Sequence, residues 1–445
     1  MCRVAKASRE AWLLMPERDP YQRVVGLGLV VLLVVVGSVS FNRAARGRYD
    51  FDHFYLDALY VWEHGELNPN TEPQHSDAER QLPFYLPVVA LALSPITAFG
   101  RTPAALIWAI GQVAALGFSL RVLWGWARRR GNQGAATAAF GVAVLLAVPA
   151  FIEAGKFNQL SYFVLALVLG AARSLERDRA RTAGALLGVA AVLKLLPVLF
   201  LPWLLLKRRW SAAVSFVVVG AVVALVPPLA VFGPQQAVKH HEEWWGHNVE
   251  GDSAGGLLNA GLADHFTDRR NQSITQVLAR LAWPGHPHAA PSQPVQLKRE
   301  TCIWLGRGVT GILLVVTLWV TRRRWGELSG ERRRAEWALY ALGMLVFSPL
   351  FRQYYLVWAV PALVLVGQAA VDEAVASRRL AGRLGLLVWL AGMLAWIWPV
   401  TRVLGTHLLM VFVLGVVLHW VTSRRCEKVG EVGAVATRST PAGSA

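Results

Sequence analysis

The sequence predicts an all-α polytopic membrane protein with about ten transmembrane helices, within a range of roughly 8–12, and two large extracytoplasmic loops. Three observations carry this. Hydrophobic residues make up 55% of the 445-residue chain and charged residues only 16%. The apolar residues gather into runs of about 16–22, each long enough at 1.5 Å per residue to cross a hydrocarbon core roughly 30 Å thick. The cations behind the net charge of +17 fall in short clusters between those runs: RRR at 128–130, RSLERDRAR at 173–181, KRR at 207–209, RRR at 322–324 and 332–334, and SRR at 377–379 and 423–425. Clusters so placed mark the cytoplasmic face. A nucleic-acid-binding chain would instead gather its cations on one continuous face with stacking aromatics, so no nucleic-acid partner is expected. Cys2, Cys302 and Cys426 are far apart and share no metal spacing, which indicates neither a disulfide framework nor a zinc site.

With the basic clusters inside, the chain can be threaded in order. Residues 1–21 form a cytoplasmic N-terminus. The run VVGLGLVVLLVVVGSVSF (24–41) follows polar residues and is followed by no small-x-small cleavage site, so 22–41 reads as a retained first span. Residues 42–82 are an outer loop with eight acids against four bases. Residues 83–125 hold about two spans' worth of apolar sequence where parity allows one crossing; a half-helix near PFYLPVVALALSP resolves this. Residues 134–152 cross outward and 157–173 return, leaving the tight outer turn EAGKFNQLS. The stretch 183–206 lies between two basic clusters and carries Lys194 and Pro197 at its middle, so it reads as a broken, re-entrant helix pair. Residues 211–232 then cross to a second outer segment, 233–301. Spans follow near 302–320, 336–351, 353–370, 384–399 and 405–421, and the tail 422–445 is expected to be disordered and cytoplasmic. Both outer segments and the turns EAGKFNQLS and SPLFRQYY converge on one face.

Candidate chemistry clusters on that face. RYDFDHFYLDALYVWEHG (48–65) places Asp50, Asp52, His53 and Asp57 just outside the first span. A solvated interfacial acid is the plain reading, and it suits Asp57. Phe51, Phe54 and Tyr55 would desolvate Asp50 or Asp52 and raise its pKa, as suits a base that takes a proton from a hydroxyl. Lys194 lies about a dozen residues from either flanking basic cluster, too deep to snorkel easily, and calls for an anionic partner such as a phosphate. Arg352, beside Gln353, Tyr354 and Tyr355, is either a turn arginine or a contact for a phosphate or sugar ring. In KHHEEWWGHN (239–248) the adjacent pair His240–His241 would diverge by about 100° on a helix and would not share a metal. DRRNQSITQVLARLAW (268–283) reads as an amphipathic helix capped by Ser273.

The order of these motifs resembles the membrane glycosyltransferases of family 87 (GT87), the group that includes polyprenol-phosphate-mannose-dependent mannosyltransferases, within the wider GT-C fold. The resemblance rests on several elements in order: Asp50-Phe51, Phe54-Tyr55 and Gly65; Phe84-Tyr85-Leu86-Pro87 with Ser94-Pro95; and Gly155-Lys156-Phe157-Asn158-Gln159-Leu160. It continues with Gly184, Gly188, Lys194 and Pro197 ahead of Arg209-Trp210; Asn271-Gln272-Ser273 with Arg280; and Ser348-Pro349 with Tyr354-Tyr355. It covers roughly residues 20–370, and residues 22–421 would form the GT-C-like domain. Many relatives carry histidines where this chain has Gln353-Tyr354-Tyr355.

The resemblance implies transfer of a hexose, mannose foremost, from a polyprenyl-phosphate-linked donor to a glycolipid or glycan acceptor. The reaction would invert the anomeric centre on the extracytoplasmic face of the cell membrane, with both termini cytoplasmic. Asp50 or Asp52 would be the base, with Asp50 favoured by register. Lys194, Arg352 and Lys156 would hold the donor phosphate. Tyr55, Tyr85, Asn158, Gln159, Asn271, Gln272, Ser273, Tyr354 and Tyr355 would contact substrate and, with membrane lipids around them, no cofactor or metal is called for. The rival class is a secondary transporter or lipid-carrier flippase with a buried Lys194 site, although no internal repeat relates the two halves. A catalytically inactive relative that keeps the fold is a third reading.

Overall fold

A computed structural model describes residues 20–67, 85–128, 132–250, 268–372 and 374–423. Residues 1–19 of the predicted N-terminus, residues 424–445 of the predicted tail and stretches of both outer loops lie outside those residues. Among the described residues every regular element is helical. In chain order these are α1 (Pro20–Ala45), α2 (Asp50–His64), α3 (Pro87–Thr97), α4 (Arg101–Ala127), α5 (Gln133–Phe157), α6 (Ser161–Glu176), α7 (Ala180–Leu193) and α8 (Phe200–Leu206). They continue with α9 (Trp210–Trp245), α10 (Ile274–Ala282), α11 (Arg299–Val320), α12 (Gly330–Val346), α13 (Val360–Asp372), α14 (Ala376–Ala395), α15 (Pro399–Val403) and α16 (Thr406–Ser423). Among the described residues six helices are long and apolar enough to cross a membrane, and shorter apolar helices accompany them. This is a membrane protein. Its centre is the run Gln353–Val371, which is almost wholly buried, whereas Arg299–Val320 and Trp210–Trp245 bury few residues and present apolar faces outward. A hydrocarbon solvent leaves such faces without cost.

Local chemistry sets the breaks. Pro87 opens the 11-residue α3, which precedes the 27-residue α4. The turn expected over EAGKFNQLS is mostly helix: α5 runs on to Phe157, and Asn158 ends it in the left-handed region at φ 56°. Asparagine tolerates that conformation, so it stops the helix where no glycine stands. The second outer segment likewise begins as helix, because α9 passes a kink at Gly233 (φ 74°) and Pro234 and continues to Trp245. Proline is tolerated there because the first turn after a kink has no N–H to lose.

The stretch 180–209 folds back on itself. α7 stops at Leu193, since Pro197 offers no N–H to the Leu193 carbonyl, and Lys194 is extended at φ −157°, ψ 126°. A short 3₁₀ turn, Leu196–Leu199, leads into α8. The two ends then meet: Arg209 pairs with Asp178 at 3.1 Å, and the Ser215 hydroxyl donates to the Arg181 carbonyl at 2.8 Å. Lys194 is thereby placed at the tip. Glycines hold α7 against α9, for a Cβ at Gly184 would stand 2.0 Å from the Ala212 carbonyl oxygen and one at Gly188 2.5 Å from that of Phe216. This backbone approach explains the G-x-x-x-G spacing. Lys207, counted among the surface cations by its place in KRR, is instead buried and pairs with Glu336 at 2.6 Å.

Candidate active site

Asp50 is the first residue of α2, following Tyr49, whose φ of 65° is uncommon for a side chain of that size. The Tyr49 ring is held by Phe157 at 4.5 Å. This fixes the direction in which α2 starts. The Asp50 carboxylate accepts hydrogen bonds from the Tyr85 hydroxyl at 3.4 Å and from the Gln159 side-chain amide. The Gln159 carbonyl oxygen in turn accepts from the Lys194 ammonium at 3.0 Å. Acid, amide and lysine thus form one relay, in which the amide can point only one way. Lys194 Nζ stands 4.0 Å from the centre of the Tyr355 ring, and that ring stacks on Trp358 at 4.9 Å and 10°. Burial raises the Asp50 carboxyl above its ordinary value, opposed by the charges of Lys194 and His53 and by the bonds from Tyr85 and Gln159. A carboxylate so raised is a stronger base than one in water.

Asp52 has a different neighbourhood. It forms an ion pair with Arg101, and both side chains are about a third exposed. The Arg101 guanidinium also lies over the Tyr55 ring at 4.7 Å, so Tyr55 belongs to this pair rather than to the relay. Gly47, at φ 58°, makes room for the pair, because a Cβ there would press on Arg101 and Asp52. Phe51 and Phe54 pack on Trp108 beneath both acids, with the Tyr85 ring edge-on to Phe54 at 4.7 Å.

The other expected residues separate into scaffold and a second locus. Asn158 is fully buried and accepts from the Ser40 hydroxyl at 2.6 Å, tying the end of α5 to α1. Asn271 accepts from the Phe351 N–H at 3.0 Å and donates to the Pro349 carbonyl at 3.1 Å. Gln272 donates to the carbonyls of Arg269 and Arg402, and Ser273 caps α10. All three are buried, and the bonds they make hold the turns at 349–352 and 402. Lys156 and Arg352 lie with Tyr354, Arg270, Trp396 and Arg402 around a cleft of ≈ 190 Å3. Lys156 faces Glu153 at 3.6 Å and Arg352 faces Asp268 at 3.0 Å. Tyr354 packs on Phe157 at 5.2 Å and edge-on to Tyr355 at 4.6 Å, so the two tyrosines form the wall between relay and cleft. Among the described residues no three of His, Cys, Asp and Glu gather as a metal site would require.

Sequence reasoning missed Arg101, Arg270, Arg402 and Trp358. The three arginines carried a signal: each is a cation on the face that the charge rule assigns to the outside, where a cation needs a reason. Trp358 lies within an apolar run and carried none.

Apolar helices long enough to cross a membrane thus bring an acid, an amide and a lysine together at their junctions. The chain belongs to glycosyltransferase family 87, whose profile matches residues 84–352. It is a membrane glycosyltransferase, and the transporter reading gives way to that. It is 26% identical over 340 residues to a polyprenol-phosphate-mannose-dependent alpha-(1-2)-phosphatidylinositol mannoside mannosyltransferase of Mycobacterium tuberculosis, covering 72% of this chain and 70% of that one. A protein of the same description from Mycolicibacterium smegmatis is 27% identical over 219 residues, 48% of this chain and 43% of that one. The crystal structure of ArnT from Cupriavidus metallidurans bound to undecaprenyl phosphate aligns with 93% of this chain and 81% of its own, at 18% identity and a TM-score of 0.37.

Proposed function

We propose that this membrane glycosyltransferase transfers mannose from a polyprenyl-phosphate donor to a glycolipid or glycan acceptor on the extracytoplasmic face, with inversion and with Asp50 as general base. The donor class follows from what the mycobacterial relatives are said to use. The observation that carries the reading is the contrast between the two acids. Asp50 is joined to Lys194 through Gln159, whereas Asp52 is neutralised by Arg101. In the step proposed, Asp50 takes the proton of the acceptor hydroxyl as its oxygen attacks the anomeric carbon. The bond to the phosphate oxygen breaks, and Lys194 balances the charge that develops on the departing polyprenyl phosphate. Tyr85, beside Asp50, supplies aromatic surface for the sugar ring. The positive-inside rule supports cytoplasmic termini and an extracytoplasmic Asp50.

The test is transfer from radiolabelled polyprenyl-phosphate-mannose by purified protein in nanodiscs, with Asp50→Asn and Asp52→Asn in parallel. Asp50→Asn should lower kcat by about 10²–10⁴-fold, the usual worth of a positioned base, while Asp52→Asn should retain most of its rate. The reverse ranking would move the base to Asp52, and equal survival of both would remove the acids from the mechanism.

A further inference from the structure

The cleft beyond the tyrosine wall has more positive charge than the relay needs. Lys156, Arg270, Arg352 and Arg402 line it, with Glu153 in its lining and Asp268 behind Arg352. Among the described residues, Arg270 and Arg402 form no ion pair within 4.0 Å. Arg402 is also held with unusual care. Its Nε donates to the Trp396 carbonyl at 2.7 Å, and its guanidinium lies over the Trp396 ring at 5.1 Å. Its own carbonyl accepts from Gln272 at 2.8 Å and from Arg280 at 3.3 Å, both of them fully buried. Arg280 further clamps the carbonyls of Val403 and Asn271. A solvated surface arginine requires no such support. Guanidinium forks beside a tryptophan ring and a tyrosine suit a phosphate group next to a sugar.

Two phosphates could be meant, that of the donor and one on the acceptor. The donor's phosphorus is one oxygen away from the anomeric carbon. That carbon lies about 3–3.5 Å from the attacking oxygen, which must itself reach Asp50. Lys194 is joined to Asp50 through Gln159, whereas the cleft's Lys156 and Arg352 face Glu153 and Asp268. Tyr354 stands between, edge-on to the Tyr355 ring that Lys194 covers on one side and lining the cleft with Arg352 and Glu153 on the other. The donor phosphate therefore belongs with Lys194. We infer that the cleft formed by Lys156, Arg270, Arg352 and Arg402 is a second anion subsite, which holds the phosphate of an anionic lipid acceptor while its sugar hydroxyl reaches Asp50. This rests on the transferase reading, and it moves Lys156 and Arg352 from the donor to the acceptor.

The experiment compares two acceptors with the same mannosyl group and acyl chains, one linked through a phosphodiester and one a mannosyl-diacylglycerol. Wild type should show a KM lower by roughly tenfold or more for the phosphodiester acceptor. Arg402→Gln and Arg270→Gln should each raise that KM roughly tenfold to a hundredfold, the worth of a charge-assisted hydrogen bond, and leave the donor KM as it was. Arg270 is exposed, so its variant tests the idea even where Arg402→Gln disturbs the fold. Equal KM values for the two acceptors in wild type, or variants that raise the donor KM instead, would overturn the assignment. Native mass spectrometry of the detergent-solubilised protein with phosphatidylinositol and with diacylglycerol gives a readout independent of turnover. Retention of phosphatidylinositol that is lost in both variants supports the subsite even if no sugar is transferred, in which case it is the transferase reading that fails. Retention unchanged in both variants sinks the subsite.

Discussion

Replacing Lys194 with glutamine separates the lysine's electrostatic work from its place in the fold, because glutamine is nearly as long and can still bond to Gln159. The ammonium has three N–H donors, and Gln159 takes one at 3.0 Å, so two remain for a phosphate oxygen. The Tyr355 ring at 4.0 Å and the Trp358 ring at 5.8 Å keep water from the cation. A unit charge about 4 Å from a phosphate oxygen is worth about 4 kcal/mol at an effective dielectric constant of 20. The leaving phosphate gains one negative charge in the transition state, so most of that interaction appears in kcat rather than in KM. Loss of a preorganised donor to developing charge costs about 2.7–4 kcal/mol, a fall in kcat of about 10²–10³-fold.

The pH profile supplies a second readout. With Asp50 as the proposed base, active when ionised, the rate should fall as pH drops through its folded pKa, which burial holds above the ordinary carboxylate range. Lys194 favours the ionised form, so Lys194→Gln should move the acidic limb of kcat to higher pH. The assay is single-turnover transfer in nanodiscs across a pH series. A kcat within threefold of wild type, or an acidic limb displaced to lower pH, would refute the reasoning.

Two further outcomes concern the fold. Glu336→Gln leaves Lys207 as a buried charge without its carboxylate, so thermal unfolding in detergent should reveal a loss of about 3–5 kcal/mol, and a change under 1 kcal/mol would show that the Thr321 and Arg323 carbonyls suffice. Gly188→Val pushes a side chain into the Phe216 backbone, so α7 and α9 must part; size-exclusion chromatography should show aggregation, and a monodisperse, active variant would contradict the packing described.

Length and patterning of apolar runs were enough to read the protein as a helical membrane chain. Hydrocarbon admits few other structures, and each crossing must be written as a run of local residues. The break at Lys194-Leu195-Leu196-Pro197 was equally legible, because proline acts on the helix turn that precedes it. Asp50 and Asp52 could be singled out by their place next to the first span and their aromatic neighbours. Register favoured Asp50, but the contacts that set the two acids apart were illegible, since they involve Arg101, Gln159 and Lys194, which lie 49, 109 and 144 residues along the chain from the acids concerned. The bonds that Asn158 and Asn271-Gln272-Ser273 make to distant parts of the chain were illegible for the same reason. A polar side chain in a motif looks the same in sequence whether it faces a ligand or a distant carbonyl. What the sequence by itself determined was every property written in nearest neighbours: helix, span, break and cap. Which charges meet, which acid is left without an arginine, and where four cations share a cleft were decided only by tertiary structure, because an electrostatic environment is set by distance in space and not along the chain.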